Sequence, residues 1–185
     1  MKLIDKVLRR WRVSIAIKAL PNEVNSVFDI GCDDGYLLNR IDDGQMLLDG
    51  CDPRLNANFP AQNYKFFHGF FPSVLEGNEY RGPYDAIFAL AVFEHLTEID
   101  LAKSSHKIAE MLSDNGILIV TVPHPFVDKI LDVLMSLRLI DGQALDEHHG
   151  FDPKSLVRIL SKHLRLKSKK TFQLGLNNIF VFEKI

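Results

Sequence analysis

The chain has 185 residues, 46 % of them apolar and 25 % charged, with a formal net charge of -2 and a pI near 6.4. That length buries one sizeable core, and the composition is that of an ordinary globular protein. Near-neutral charge argues against a general nucleic-acid binder, whose phosphate contacts need a basic surface. The longest apolar runs, "AIFALAVF" and "ILIVTV", are too short to span a bilayer. The opening "MKLIDKVLRRWRVS" is broken by Asp5, Arg9 and Arg10 and does not read as a signal peptide. Cys32 and Cys51 have neither a CxxC partner nor metal-like spacing; they read as reduced, buried thiols, and the expected location is cytoplasmic.

Residues 2–19 predict an amphipathic helix, with Leu3, Val7, Trp11 and Ile15 recurring every four positions and Lys2, Lys6, Arg9 and Arg10 on a solvated opposite face. After Pro21, short runs rich in Val, Ile and Phe alternate with helical stretches. Strands are predicted at Val24–Ile30, Gln45–Cys51, Tyr64–His68, Tyr84–Leu90 and Gly116–Val122. Helices are predicted at Tyr36–Ile41, Leu101–Leu112, Phe126–Leu139 and Asp152–His163. Strands apolar on both faces and separated by helices make a parallel sheet covered on two sides. The final runs, "LRLKSKKTF" and "NNIFVFEK", are separated by only a few residues around Gly175. A parallel crossover needs about a dozen residues or more, so these two strands are antiparallel neighbours. Arg165, Lys167 and Lys169 read as the solvated edge of that hairpin.

The turn "DIGCDDG" after the first strand is the candidate ligand site, because parallel sheets bind ligands beyond the carboxyl ends of their strands. Gly31 permits a sharp turn, and Gly35 lets the next helix begin close to a ligand. The dinucleotide pattern G-x-G-x-x-G is absent, which speaks against a nicotinamide oxidoreductase. Asp33 and Asp34 would repel a pyrophosphate, so a ligand with positive charge fits better. Asp52 lies 17 residues after Gly35 and ends the second strand, where a carboxylate accepts hydrogen bonds from a ribose diol; Asp49 competes by type but lies earlier in the strand. A ribose, a cation and a carboxylate together describe S-adenosylmethionine.

The sequence resembles the class I S-adenosylmethionine-dependent methyltransferases over residues 24–185. "VFDIGCDDG" is similar to their first motif, "GCDP" to the ribose-binding strand end, "YDAIFALAVFEHL" to the fourth-strand motif, and "LSDNGILIVTVPHP" to the fifth. The closing hairpin is similar to their antiparallel seventh strand. The resemblance implies an α/β fold: a Rossmann-like, mostly parallel seven-stranded sheet with helices on both faces and a C-terminal antiparallel hairpin. It implies a single domain over 1–185, with 1–20 as an N-terminal helix and 123–153 as a partial lid or as core packing. Its cofactor would be S-adenosylmethionine. Asp29, Gly31, Asp33 and Gly35 would line the methionine end, Asp52 would hold the ribose, Pro53 or Arg54 would lie beside the adenine, and Leu90 and Ala91 would approach the sulfonium. Two positions depart from the family pattern. Asp33 stands where glycine is usual, and Phe70 follows Gly69 where many members carry an acid for the adenine amino group. Phe70 or Phe71 covers the adenine instead, or belongs to the core.

Methyl transfer needs a general base only when the acceptor must lose a proton. The histidine candidates are His95, His124, His148 and His149, of which His124 and His148 are favoured because their positions should face the cofactor mouth. Asp146, Glu147, His148 and His149 are too close in sequence to converge easily on an ion, and no metal is expected. The expected activity is methyl transfer to a small-molecule or sugar-type acceptor, with no nucleic-acid or membrane partner. The alternative is a catalytically weakened or inactive relative that retains cofactor or partner binding, and the two departures motivate it.

Overall fold

The computed structural model describes residues 3–55, 63–124 and 152–185, the first three of these by backbone alone. The predicted helix Phe126–Leu139 and most of the 123–153 segment lie outside the described residues. The strands are β1 (Ser26–Ile30), β2 (Leu47–Asp52), β3 (Tyr64–His68), β4 (Tyr84–Leu90), β5 (Leu112–Pro123), β6 (Leu164–Phe172) and β7 (Asn177–Lys184). The helices are α1 (Leu3–Ile17), α2 (Tyr36–Ile41), α3 (Glu98–Met111) and α4 (Pro153–Leu160).

The strands form one seven-stranded sheet in the order β3-β2-β1-β4-β5-β7-β6. The first five pair in parallel, and β7 runs antiparallel to both β5 and β6. The mixed sheet and terminal hairpin are those expected from loop length. Successive strand residues point to opposite faces. In β1, Phe28 and Ile30 join the core beneath α3 and α4, while Val27 joins the core beneath α1 and α2. The chain lays β2 and β3 on one side of β1, then returns to place β4 on the other side. This reversal opens a crevice beyond the carboxyl ends of β1 and β4.

Several ends have clear chemical causes. Thr97 caps α3 by accepting from the Asp100 backbone N–H, and Asp152 caps α4 by accepting from that of Lys154. Helix α3 begins at Glu98, three residues before the expected Leu101, because this cap precedes the apolar periodicity. Strand β5 begins at Leu112 rather than Gly116; polar residues 113–115 hide its first turn of pairing from a hydrophobicity pattern.

Helix α1 corrects one expectation. Two members of its apolar stripe face outward, Val7 at 52 % and Trp11 at 41 % exposure, whereas Ile15 packs against the core together with Val13 and Ala16. The rotation is held by Arg9, which pairs through both terminal nitrogens with Asp34 and lies 4.8 Å from the centre of the Tyr36 ring. Arg9 therefore does not belong to a solvated face.

Asp49 is fully buried and is occupied within the protein. It accepts from Arg81 Nε at 2.9 Å, from Arg81 Nη2, and from the Tyr84 hydroxyl at 2.6 Å. Arg81 also donates to the carbonyls of Leu48 (3.2 Å) and Asn63 (3.0 Å), tying the approach to β4 onto β2. Asp49→Ala should lower stability by about 3 kcal/mol, because it strands a guanidinium and a buried hydroxyl. Tyr84→Phe, which leaves the ion pair, should cost about 1–2 kcal/mol. Urea unfolding midpoints would rank the two, and equal losses would show that the Arg81 pair contributes nothing.

Candidate functional site

The site is built where the turn after β1 meets the end of β2. The backbone N–H groups of Gly31 and Cys32 both donate to the Cys51 carbonyl, at 2.8 and 3.1 Å. Gly31 has φ 78, and a Cβ there would stand 2.4 Å from Val92 Cγ2, so a side chain is excluded on two counts. Asp33 has φ 48, a conformation that aspartate tolerates better than most residues. Its side chain is 60 % exposed, with Oδ2 at 3.9 Å from Arg9 Nη1. The aspartate that replaces the usual glycine is thus turned toward Arg9 and solvent.

Asp52 is 8 % exposed and immobilised at both oxygens. Oδ2 accepts from the Asp33 backbone N–H at 3.1 Å, and Oδ1 from that of Arg54 at 2.6 Å. Each oxygen keeps a lone pair for a further donor. Asp52, Pro53, Arg54 and Phe70 line a cavity of about 350 Å³ that also reaches His95. Phe71 is in the core, tilted against Phe28 at 6.2 Å, whereas Phe70 is 72 % exposed along the cavity. Both therefore line the cavity, Phe71 from the core side and Phe70 as the exposed ring that can lie over a ligand.

A second cavity of about 340 Å³ lies beneath α1, lined by Leu8, Arg9, Arg12 and Asp29 among others. Gly31, Asp33, Leu90 and Ala91 line both cavities and form their common wall. Ala91 takes φ 60 as the chain leaves β4, and its N–H donates to the Thr121 carbonyl at 3.0 Å.

The second cavity has unusual electrostatics. Burial pushes the Asp29 carboxyl up to about 8; Asp52 adds to the rise and Arg9 opposes it. Burial likewise pushes Glu94 up to about 7, opposed by its own backbone N–H and by Arg12. Arg12 Nε and Glu94 Oε2 are both buried without a hydrogen-bond partner among the described residues. Burial lowers the Arg12 guanidinium from its ordinary value, with Glu94 countering. An orphaned guanidinium nitrogen beside a cavity is a ready receptor for an anionic group. Sequence reasoning missed Arg12, because Arg9 and Arg12 share the face of Val13 and Ala16, and the apolar stripe at spacing four concealed that face.

The other expected residues divide. Gly35 has φ 68, and Asn39 N–H donates to its carbonyl as α2 begins. His124 lies one residue past β5, with its N–H donating to the Leu176 carbonyl at 2.8 Å, and it lines neither of the two cavities. His148 and His149 lie outside the described residues, as does the Asp146–His149 cluster. Among the described residues no group of side chains is placed to hold a metal ion. Cys32 and Cys51 are free and buried, and burial raises both thiols, so neither is an activated nucleophile. No described helix is long and apolar enough to cross a membrane.

A family model described as a methyltransferase domain matches residues 2–163. The chain belongs to this methyltransferase domain family. Its class is that of the S-adenosylmethionine-dependent methyltransferases, and its methyl donor is S-adenosylmethionine, as the sequence led us to expect. No curated protein matches it in sequence. Similar solved structures include the N-methyltransferase NodS from Bradyrhizobium japonicum WM9, at 11 % identity and a TM-score of 0.66, covering 98 % of this chain and 99 % of that one. NodS in complex with S-adenosyl-L-homocysteine matches at 13 % identity and a TM-score of 0.65, covering 95 % and 86 %. The cyclopropane synthase MmaA2 from Mycobacterium tuberculosis matches at 13 % and 0.67, covering 95 % and 84 %. At these identities the likeness concerns the fold.

The buried acids have a measurable consequence. An unfolded aspartate ionises near 4, whereas folded Asp29 holds its proton to about 8. Between those values the unfolded chain binds fewer protons, so stability is full at the acid end and falls as pH rises, levelling above about 8. One proton corresponds to about 1.4 kcal/mol per pH unit, or about 3–6 °C in Tm for a chain of this size. Melting scans between pH 5 and 8.5 should show that decline; Asp29→Asn should lessen it below about pH 7, where Glu94 also contributes, and abolish it above. An unchanged slope in Asp29→Asn would place the effect elsewhere.

Proposed function

We propose that the chain transfers a methyl group from S-adenosylmethionine to a small-molecule or sugar-type acceptor. The observation that carries this reading is the fixed Asp52 carboxylate, which joins the two cavities' common wall to the ribose side through the Asp33 N–H. The residues fit the donor group by group. Asp52 presents two acceptors to a ribose diol, with Phe70, Pro53 and Arg54 bounding the adenine side. Asp29, Gly31 and Asp33 bound the methionine side, and Leu90 and Ala91 the sulfonium side; Gly35 lines neither cavity and serves by beginning α2. The orphaned Arg12 suits the donor's carboxylate, and the buried Asp29 suits its ammonium.

When bound, the donor supplies an electrophilic methyl group on a sulfonium leaving group. This chain's part is to orient it, exclude water and hold the acceptor in line. The apolar wall of Leu90 and Ala91 desolvates that region, and α1 closes the outer side with Leu8 and Val13. His124 and His148 remain the proposed proton acceptors for an acceptor that must deprotonate. The two cavities, of about 350 and 340 Å³, share a wall and together take the donor, its adenosine in the first and its methionine end in the second. The exposed placement of Asp33 removes one of the two motives for an inactive relative.

Calorimetry with S-adenosylhomocysteine tests this arrangement. Asp52→Ala should weaken binding by about 1.5–3 kcal/mol, roughly 10- to 150-fold, without lowering Tm by more than a few degrees. Unaltered affinity would show that the ribose is held elsewhere. Arg12→Met should weaken S-adenosylhomocysteine by about tenfold or more while leaving 5′-methylthioadenosine, which lacks the carboxylate, unaffected. Equal losses for both ligands would make Arg12 a structural residue. No binding at millimolar ligand would favour the inactive reading. Incubation with labelled donor and cell metabolites should yield a labelled small product, and label found only in RNA or protein would defeat the acceptor class.

A further inference from the structure

Helix α1 carries apolar side chains on its outside. Val7, Leu8 and Trp11 are 52 %, 37 % and 41 % exposed, and Leu174 in the β6–β7 turn is 93 % exposed. Gln173 Nε2 donates to the Leu8 carbonyl at 2.8 Å, which fastens that turn to the helix and makes the four side chains one surface. Leu174 has φ 58, a conformation that favours Gly, Asn or Asp. A leucine there is disfavoured both by its backbone and by its exposure, yet the protein keeps it.

Cations share this side of the molecule with the patch. Lys6 and Arg10 are exposed on α1 and form no ion pair among the described residues. Lys170 pairs across the sheet with Ile179, which packs in the same cluster as Val13 and Ala16 of α1. Lys170 therefore projects from the side of the sheet that α1 covers, and it too forms no ion pair among the described residues. The nearby Asp34 is engaged by Arg9, and Asp33 faces the same guanidinium. Among the described residues the unpaired charge around the patch is positive, although the chain as a whole carries -2.

We propose that α1 and the β6–β7 turn dock on an anionic lipid bilayer. Val7, Trp11 and Leu174 enter the interface, and Lys6, Arg10 and Lys170 meet the headgroup phosphates. Apolar and indole side chains accompanied by cations match an interfacial helix, which lies on a membrane and needs no spanning segment. The lack of a span, which led to the expectation of no membrane partner, does not bear on such a contact. A protruding leucine is suited to a deformable surface. Leu8 also lines the cavity beneath α1, so docking brings that cavity's rim to the bilayer. On the methyl-transfer reading this favours an amphiphilic acceptor, but docking itself is measured without donor or acceptor.

Trp11 is the chain's one tryptophan, so its emission reports on α1 alone. The whole chain is titrated with phosphatidylcholine vesicles, with and without about 30 % phosphatidylglycerol, at low ionic strength. The expected result is a blue shift and protection from acrylamide with the anionic vesicles, at least about tenfold weaker with phosphatidylcholine alone. Leu174→Asp, which suits the turn's positive φ, and Arg10→Glu should each reduce partitioning about fivefold or more at unchanged Tm. Leu174→Asn repeats the first test without adding charge. Equal partitioning on both vesicles, no shift on either, or variants that bind like the parent would overturn the proposal. So would a Trp11 spectrum already buried without vesicles, or one that shifts with protein concentration alone; these would assign the patch to the chain itself or to a second copy.

Discussion

The grip of Asp52 on the Asp33 and Arg54 backbone N–H groups holds the site together. A strand end and a glycine turn are ordinary features of parallel sheets. What makes them one receptor is that the carboxylate of β2 satisfies a donor of the turn after β1, while Gly31 and Cys32 both lean on the Cys51 carbonyl. The turn is thereby fixed at the point where strand order reverses, and both cavities share its wall. The buried acid of β1 then lies close enough to Asp52 for the two carboxylates to disfavour each other's ionisation. Burial, more than Asp52, keeps this acid protonated at neutral pH, and an arriving cation would favour its ionised form.

The chain's alternation of apolar strands and helices was sufficient to read the sheet. Tyr64–His68, Tyr84–Leu90, Tyr36–Ile41 and both hairpin strands have the bounds expected of them, because apolar content and turn residues change together there. The starts of α3 and β5 were obscured because a threonine cap and three polar residues carry no hydrophobic signal. At the site, strand-end placement singled out Asp52 over Asp49, and the structure shows Asp49 engaged by Arg81 and Tyr84. Sequence had no means to separate Phe70 from Phe71. Adjacent residues of one type differ only in which way the chain turns them; both reach the cavity, but the fold buries Phe71 in the core and leaves Phe70 exposed.

Helix α1 shows periodicity giving a misleading answer for a physical reason. Its strongest apolar repeat lies at spacing four, yet the helix is rotated so that two arginines enter the cleft. A bidentate guanidinium–carboxylate contact and a ring-stacking contact from Arg9 oppose the burial that Val7 and Trp11 would gain. Val13 and Ala16, with Ile15 and Ile17 packed beside them, seat the helix on the sheet. The helix therefore serves the cleft first and packs second.

Strand β7 lies between β5 and β6, although it follows both in the chain. During synthesis, β5 is made with one flank paired to β4 and the other bare, and β6 has no neighbour until β7 emerges. The apolar row Ile117–Val122 is then an open template for another nascent chain. Closure requires the β6–β7 hairpin, local in itself, to dock β7 on β5, a non-local pairing that forms late. The basic residues along β6 give that waiting segment a self-repelling edge until its partner arrives.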